Sequence, residues 1–101
     1  MGWVTHAVEG LKEGRAVQVR PRGHSMRPRI FDGDLVTIAP CTPESVEKGD
    51  VVLVRIRGNW LLHLVTAAEK GRVQISNNHG HVNGWAGRGS VLGKVRTIDR
   101  S

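Results

Sequence analysis

The chain has 101 residues, of which 39% are apolar and 24% carry a charge. This length suits one small globular domain over residues 1–101, and we expect no second, DNA-reading domain beside it. No apolar run approaches the roughly 20 residues that a membrane-spanning helix needs, and the N-terminus lacks the charged-then-apolar layout of a secretory signal. We therefore expect a cytoplasmic protein with no membrane segment.

The charge balance is basic. Fifteen Lys and Arg against nine Asp and Glu give a net charge of +6, and four of the arginines bunch together at Arg20, Arg22, Arg27 and Arg29. A basic cluster of this kind favours a phosphate or an acidic peptide as a partner. The aromatic residues are too few and too dispersed to form the stacking platforms of proteins that bind single-stranded nucleic acid. Nucleic acid therefore remains an alternative partner, but no sequence motif supports it. Cys41 is the only cysteine, which excludes an intrachain disulfide and a cysteine-cluster zinc site.

The first predicted element is a short N-terminal helix within residues 1–15. Thr5 can cap its start, and Gly14 can end it in a left-handed turn. The helix is indicated by apolar side chains at helical spacing, namely Val4, Val8 and Leu11. Beyond it the apolar period changes to two, which predicts a β core over residues 16–98.

The β core is predicted to contain six strands, at residues 16–20, 35–39, 51–57, 60–66, 72–76 and 91–98. Gly58-Asn59 has the composition of a tight hairpin turn, so the third and fourth strands should pair antiparallel. Residues 77–90 are rich in Asn and Gly and are predicted as a long loop. The sum is a mainly β fold, a twisted and partly closed antiparallel barrel or sandwich with one short helix. Because so small a domain buries little apolar surface, a homodimer can complete the core.

Ser25 stands in a bend between two predicted strands, in the run Gly-His-Ser-Met-Arg-Pro over residues 23–28. Such a bend can hold a side chain out of a sheet. A serine hydroxyl is a poor nucleophile at neutral pH unless a base takes its proton and donors hold the oxyanion that develops. Taken alone, this motif is typical of an ordinary turn.

Four more motifs follow in order: Asp-Gly-Asp-Leu-Val at 32–36, Lys-Gly-Asp-Val-Val-Leu-Val at 48–54, Leu-Leu-His-Leu-Val at 61–65 and Leu-Gly-Lys-Val at 92–95. Together with residues 23–28 they resemble the S24/S26 serine peptidase superfamily, which holds LexA-like self-cleaving repressors and type I signal peptidases. The resemblance covers roughly residues 17–95. It implies a mostly β fold, Ser25 as the nucleophile, a turn at Ser25 and Met26 that helps to hold the oxyanion, and a general base on a later strand.

The resemblance also indicates which residue is the base. Bacterial members of the superfamily use a lysine on the strand after the Gly-Asp-Val-Val segment, but the matching position here holds His63. The surrounding Leu-Leu-His-Leu-Val is similar to the archaeal and endoplasmic-reticulum signal peptidases, which use histidine. An imidazole, with an ordinary pKa of about 6.5, accepts a proton readily at neutral pH. The alternative interpretation is that His63 is a packed strand residue whose ring donates to a backbone carbonyl.

One part of the histidine-type pattern is missing. Those signal peptidases carry aspartates shortly downstream of the histidine, one of which orients it, whereas residues 75–84 here contain no acid. The side-chain oxygens of Ser76, Asn77 and Asn83 can accept a hydrogen bond from the ring, but none of them neutralises an imidazolium.

His79 and His81 raise a different alternative, because with His63 they would offer three ring nitrogens to a metal ion. No acidic ligand accompanies them in the sequence. We therefore expect neither a metal nor another cofactor.

We expect a soluble serine endopeptidase that cleaves a peptide bond of a partner protein through an acyl-enzyme on Ser25, with His63 as general base. The protein or peptide substrate would dock as an added strand, and the basic residues beside the nucleophile, Arg22, Arg27 and Arg29, would favour acidic residues near the cut. No Ala-Gly or Cys-Gly dipeptide precedes Ser25, so action in trans is preferred to self-cleavage. The alternative is a catalytically weak or inactive module of the same fold that binds a protein, dimerises or binds a polyanion, and the missing acid favours it.

Overall fold

The computed structural model describes residues 2–22 and 29–100; Ser25, Met26 and Arg27 lie outside the described residues. The helical segments are α1 (Trp3–Lys12) and two 3-10 turns, η1 (Pro43–Ser45) and η2 (Arg88–Ser90). The strands described are β1 (Val17–Val19), β2 (Leu35–Pro40), β3 (Val51–Ile56), β4 (Asn59–Ala68), β5 (Arg72–Ser76), β6 (Val82–Gly87) and β7 (Val91–Asp99).

Helix α1 is shorter than the predicted span of residues 1–15. It begins after Gly2, whose backbone is extended, so Thr5 is not its cap but lies in its first turn. Its end is as predicted: Gly14 has a φ of 81°, and its N–H donates to the carbonyl of Leu11 at 3.0 Å. A left-handed glycine at this place satisfies a carbonyl that the helix leaves unpaired.

The described strands form one antiparallel sheet in the order β1-β2-β7-β3-β4-β5-β6. The predicted mainly β fold with one short N-terminal helix is confirmed. The sheet curls far enough that β6 approaches β3 across β4 and β5. Its edge strands β1 and β6 are not paired with each other, so the barrel is not closed.

The hairpin of β3 and β4 has the predicted partners, since Val51 lies opposite Leu64. Its turn is one residue earlier than predicted and consists of Arg57 and Gly58, with φ of 50° and 81°. A two-residue turn that matches the twist of the strands needs positive φ at both positions. Asn59 is not part of this turn, because it pairs with Ile56 at the start of β4.

The prediction of a loop over residues 77–90 is wrong, because this stretch contains β6 and η2. Strand β6 reads Val-Asn-Gly-Trp-Ala-Gly, and glycine and asparagine are depleted in strands. Pairing with β5 therefore produces a strand that the local composition does not indicate.

The two faces of the sheet carry two cores. The helix-side core packs α1 against the sheet and consists of Ala7, Leu11, Val17, Val19, Ile30, Val36, Ile38, Val51, Leu53 and Leu62. The inner core lies on the face toward which β6 curls and consists of Val46, Val52, Val54, Ile56, Val65, Val73, Ile75, Ala86 and Val91. The guanidinium of Arg88 ties the segments around the inner core, since it donates to the carbonyls of Pro43, Val46 and Glu69 at 2.7–3.1 Å.

Candidate active site

His63 lies inside β4, opposite Val52 of β3, and is 9% exposed. Its neighbours two positions away, Leu61 and Val65, both pack in the inner core. Because side chains alternate along a strand, the imidazole projects toward the same face. Burial of Leu61 and Val65 in the inner core therefore orients the ring of His63 toward that face.

The ring of His63 has one hydrogen-bond partner among the described residues. Its Nδ1 lies 2.5 Å from the carbonyl oxygen of Leu62. A carbonyl only accepts, so the neutral ring carries its proton on Nδ1 and leaves the lone pair on Nε2. This is the tautomer that a general base acting through Nε2 needs. The contact is also the one that the packed-histidine interpretation predicts.

The sequence predicts a backbone carbonyl as the partner of the ring only in the packed-histidine interpretation. Every residue carries a carbonyl, and no pattern in the sequence marks the one at Leu62. Only the backbone path of β4 brings it to Nδ1 of His63.

Two of the side chains expected to orient His63 have their oxygens engaged elsewhere. The buried hydroxyl of Ser76 is hydrogen-bonded to the hydroxyl of Thr66 at 2.8 Å. The Oδ1 of Asn77 accepts the backbone N–H groups of His79 and His81 at 2.9 and 3.0 Å, which closes the turn after β5.

Asn83 differs from these two. It lies in β6 at the irregularity where Ile75 pairs with Gly84 but Ser76 pairs with Val82. Within the described ranges, its Oδ1 is buried and has no hydrogen-bond partner. Of the three oxygens expected to serve a histidine, this is the one left available.

The described residues on either side of Ser25 are positioned by different contacts. Arg22 is exposed and lines a shallow cavity with Arg20, Asp32 and Gly33. On the other side, Nε of Arg29 donates to Oδ1 of Asn78 at 2.8 Å. Asn78 follows β5, whose last residue pairs with the neighbour of His63 in β4. The side chain of Arg29 therefore reaches the end of β5, the strand next to β4.

Asp34 fixes the chain that follows this segment. Only 2% of it is exposed, and its Oδ2 accepts the backbone N–H of Phe31 at 2.9 Å and a guanidinium N–H of Arg100 at about 3.2 Å. The hydrogen bond from Phe31 has the largest effect on the pKa of Asp34 and holds it below its ordinary value; burial opposes this shift and Arg100 adds to it. The Asp-Gly-Asp motif is thus a structural clamp on the turn into β2.

This clamp predicts a pH-dependent contribution to stability. A carboxyl whose pKa is lower in the folded than in the unfolded chain stabilises fully above its ordinary value of about 3.9, and the stabilisation is lost as pH falls through the folded value. Asp34→Asn should therefore lower the free energy of unfolding at pH 7, and the difference from the unmodified protein should shrink below about pH 4. Urea unfolding at pH 7, 5 and 3 measures both. Asp99→Asn, at an exposed carboxyl, is the control, and a difference for Asp34→Asn that stays constant with pH would contradict the clamp.

Within the described part of the chain, no group of three or more His, Cys, Asp and Glu is placed to hold a metal ion. His79 and His81 are both exposed in the turn after β5, while His63 is buried in β4. The alternative of a three-nitrogen site is therefore wrong for these residues. Over the same ranges, no helix has the length and apolar character to cross a membrane.

Residues 4–95 match the family described as Peptidase S24-like, a stretch that includes both Ser25 and His63. No curated protein gives a significant match. Since the family match spans most of the chain, from the first turn of α1 to the middle of β7, this chain belongs to the Peptidase S24-like family.

Proposed function

We propose that this chain is a serine endopeptidase that acts in trans on a partner protein, with Ser25 as nucleophile and His63 as general base. The observation that carries the proposal is the buried imidazole of His63, whose Nδ1 faces the carbonyl of Leu62 and whose Nε2 is left to accept a proton. This histidine occurs in a chain that belongs to a family whose members are generally serine peptidases.

The reaction follows the usual order of acyl transfer. Nε2 of His63 takes the proton of the Ser25 hydroxyl while Oγ forms a bond to the carbonyl carbon of the substrate. The oxyanion is held by backbone N–H groups of the turn at Ser25 and Met26. His63 then gives its proton to the leaving amine, and water, activated by the same ring, hydrolyses the ester on Ser25.

The contact between Arg29 and Asn78 supports this pairing. Arg29 is four residues after Ser25, and four extended residues span about 13 Å. Asn78 lies just beyond the end of β5, and adjacent strands are about 4.8 Å apart. The chain between Arg29 and Ser25 can therefore cover two or more strand spacings from the end of β5.

The missing carboxylate sets the expected rate. Among the described residues no Asp or Glu is hydrogen-bonded to His63. The Leu62 carbonyl fixes the tautomer, but a carbonyl does not carry the full negative charge that stabilises an imidazolium. We expect slower turnover than in enzymes with an acidic third residue. The same observation favours the alternative, a binding module that retains the fold without the reaction.

The arginines beside the nucleophile indicate the substrate class. Arg22 and Arg29 are exposed on either side of Ser25, and Arg27 stands between them in the sequence. A substrate with Asp or Glu near the cleaved bond complements these guanidinium groups.

The proposal is tested with a mixed peptide library digested by the purified protein, in which new N-termini are identified by mass spectrometry. Cleavage should occur with the unmodified protein and with Ser90→Ala, a control at a partly buried serine in η2. It should be absent with Ser25→Ala, and Asp and Glu should be enriched near the cuts. Rapid acid quenching should trap a peptide fragment as an ester on Ser25. Equal cleavage by Ser25→Ala and the unmodified protein would refute the peptidase assignment, and no cleavage by either would support the binding module.

A further inference from the structure

Strand β6 is an edge strand whose exposed side chains the proposed peptidase does not use. Within the described part of the chain it pairs only with β5. The exposed large apolar side chains in this part are Val82 and Trp85, with exposed fractions of 47% and 38%, and both belong to β6. An edge strand presents unpaired backbone N–H and C=O groups to any other extended chain.

Trp85 lies on the outer face of the sheet. It pairs with Gln74, whose neighbours in β5, Val73 and Ile75, point into the inner core. The indole is covered on one side by the guanidinium of Arg72, which lies 4.2 Å above the ring centroid. Nε of Arg72 also donates to Oε2 of Glu69 at 2.8 Å, so the guanidinium on this apolar surface is already ion-paired.

The inner face of the same edge carries a different group. Gly84 pairs with Ile75, so a side chain at this position would point toward the inner core. A Cβ there would lie 3.6 Å from Nη2 of Arg57, which reaches over from the turn between β3 and β4. Arg57 is exposed, and within the described ranges its guanidinium has neither a hydrogen-bond acceptor nor an ion-pair partner. An unpaired cation therefore stands beside the middle of β6.

The charge of the surrounding chain decides between two kinds of partner. Residues 70–98 contain no Asp or Glu, but they contain the five basic residues Lys70, Arg72, Arg88, Lys94 and Arg96. Two of these are ion-paired with acids elsewhere, Arg72 with Glu69 and Lys94 with Asp50, so the surrounding chain remains net positive. Pairing of β6 with β6 of a second copy would bring the unpaired Arg57 of both copies to the same edge, and like charges in close contact oppose association. An acidic partner has the complementary charge.

We infer that the edge of β6 binds an extended segment of a partner protein in which acidic and apolar residues alternate. Such a segment adds a strand to the sheet through backbone hydrogen bonds. Because alternate side chains of a strand point to opposite faces, its apolar residues contact Trp85 and Val82 on the outer face while its carboxylates meet Arg57 on the inner face. Binding here is separate from cleavage at Ser25.

The experiment uses the full chain with Ser25→Ala, so that binding is measured without cleavage. The probe is a fluorescent ten-residue peptide of alternating Glu and Val, titrated by fluorescence anisotropy. We expect saturable binding in the micromolar range and loss of binding when alternate amides of the peptide are N-methylated, because those amides can no longer donate to β6. A peptide of alternating Lys and Val should not bind.

Substitutions at the surface identify its two faces. Arg57→Asn keeps a residue that tolerates positive φ and should weaken binding about fivefold, and Trp85→Ser about tenfold. Arg55→Asn, at an exposed arginine of β3 two positions before Arg57, is the matched control and should leave the affinity unchanged.

Three results would overturn the inference. Equal binding of the Glu-Val and Lys-Val peptides, or of the N-methylated peptide, would exclude an added acidic strand. Tighter binding of a ten-nucleotide oligothymidylate that Trp85→Ser abolishes would assign the surface to nucleic acid. A concentration-dependent dimer that Trp85→Ser abolishes would assign it to a second copy.

Discussion

His63→Ala is expected to lower kcat/KM for peptide cleavage by about 1,000- to 10,000-fold at pH 7, because in the proposed mechanism it removes the group that takes the proton from Ser25. His63→Gln should lower it by a similar factor, although an amide fills more of the buried site than a methyl group does. Cleavage of one peptide chosen from the library, followed by chromatography, measures the effect. Thermal unfolding of both variants checks that the loss of activity is not a loss of fold.

The pH dependence separates a base from a residue that only fills space. With an imidazole base, the rate of the unmodified protein should reach its plateau at a much lower pH than with a lysine base, because the ordinary pKa of imidazole lies well below that of an ammonium group. His63→Lys should be nearly inactive at pH 7 and should gain activity toward pH 10, because a lysine accepts a proton only after it has lost its own.

Lys94 is the alternative candidate for the general base, and a substitution at this position provides the control. It lies in β7 opposite Val52, which in turn lies opposite His63 in β4, so the three residues form one row across the sheet. Its Nζ donates to the carbonyl of Ser45 at 2.9 Å and lies 3.3 Å from Oδ2 of Asp50. Lys94→Met should therefore keep the pH profile of the unmodified protein. If the rate of the unmodified protein still rises above pH 9 and Lys94→Met abolishes that rise, the base is Lys94 and the assignment of His63 is contradicted.

The sequence predicts those parts of the fold in which burial produces a regular pattern. Strand β3 places Val52 and Val54 in the inner core and Val51 and Leu53 in the helix-side core, and its apolar run and turn signals are enough to locate it. Strand β6 is different, because its glycines leave little side chain to pack. It is formed through backbone pairing with β5, and backbone groups are the same at every position.

The candidate site divides in the same way. The Leu-Leu-His-Leu-Val run indicates His63 through its resemblance to the histidine-type signal peptidases. The group that fixes its tautomer is the carbonyl of Leu62, and carbonyls leave no trace in a pattern of side chains. Side chains such as Ser76 and Asn77 looked suitable because the sequence does not reveal that their oxygens are used by Thr66 and by the turn after β5.

Gly93→Ala is expected to have a large effect on stability. Gly93 lies in β7 between β2 and β3, opposite Pro40 and Leu53. An added Cβ would lie 2.7 Å from the carbonyl oxygen of Ala39, with side-chain atoms of Ile38 and Leu11 at 2.9 and 3.1 Å. The carbonyl belongs to the backbone of the neighbouring strand, so relief requires β2 and β7 to separate or α1 to lift from the sheet. We expect a loss of about 3 kcal/mol in the free energy of unfolding, measured by urea titration.

A loss of this size should lower the melting temperature by about 15 °C in a domain of about 100 residues. Gly71→Ala is the matched control: it lies in the turn between β4 and β5 with no atom within 4 Å of an added Cβ, and it should change the free energy of unfolding by less than about 0.5 kcal/mol. Equal melting temperatures for the two variants would mean that the sheet accommodates a side chain at position 93 with no loss of stability. A selective loss for Gly93→Ala would instead establish that the Leu-Gly-Lys-Val motif requires glycine because strand and helix meet there with no room for a side chain.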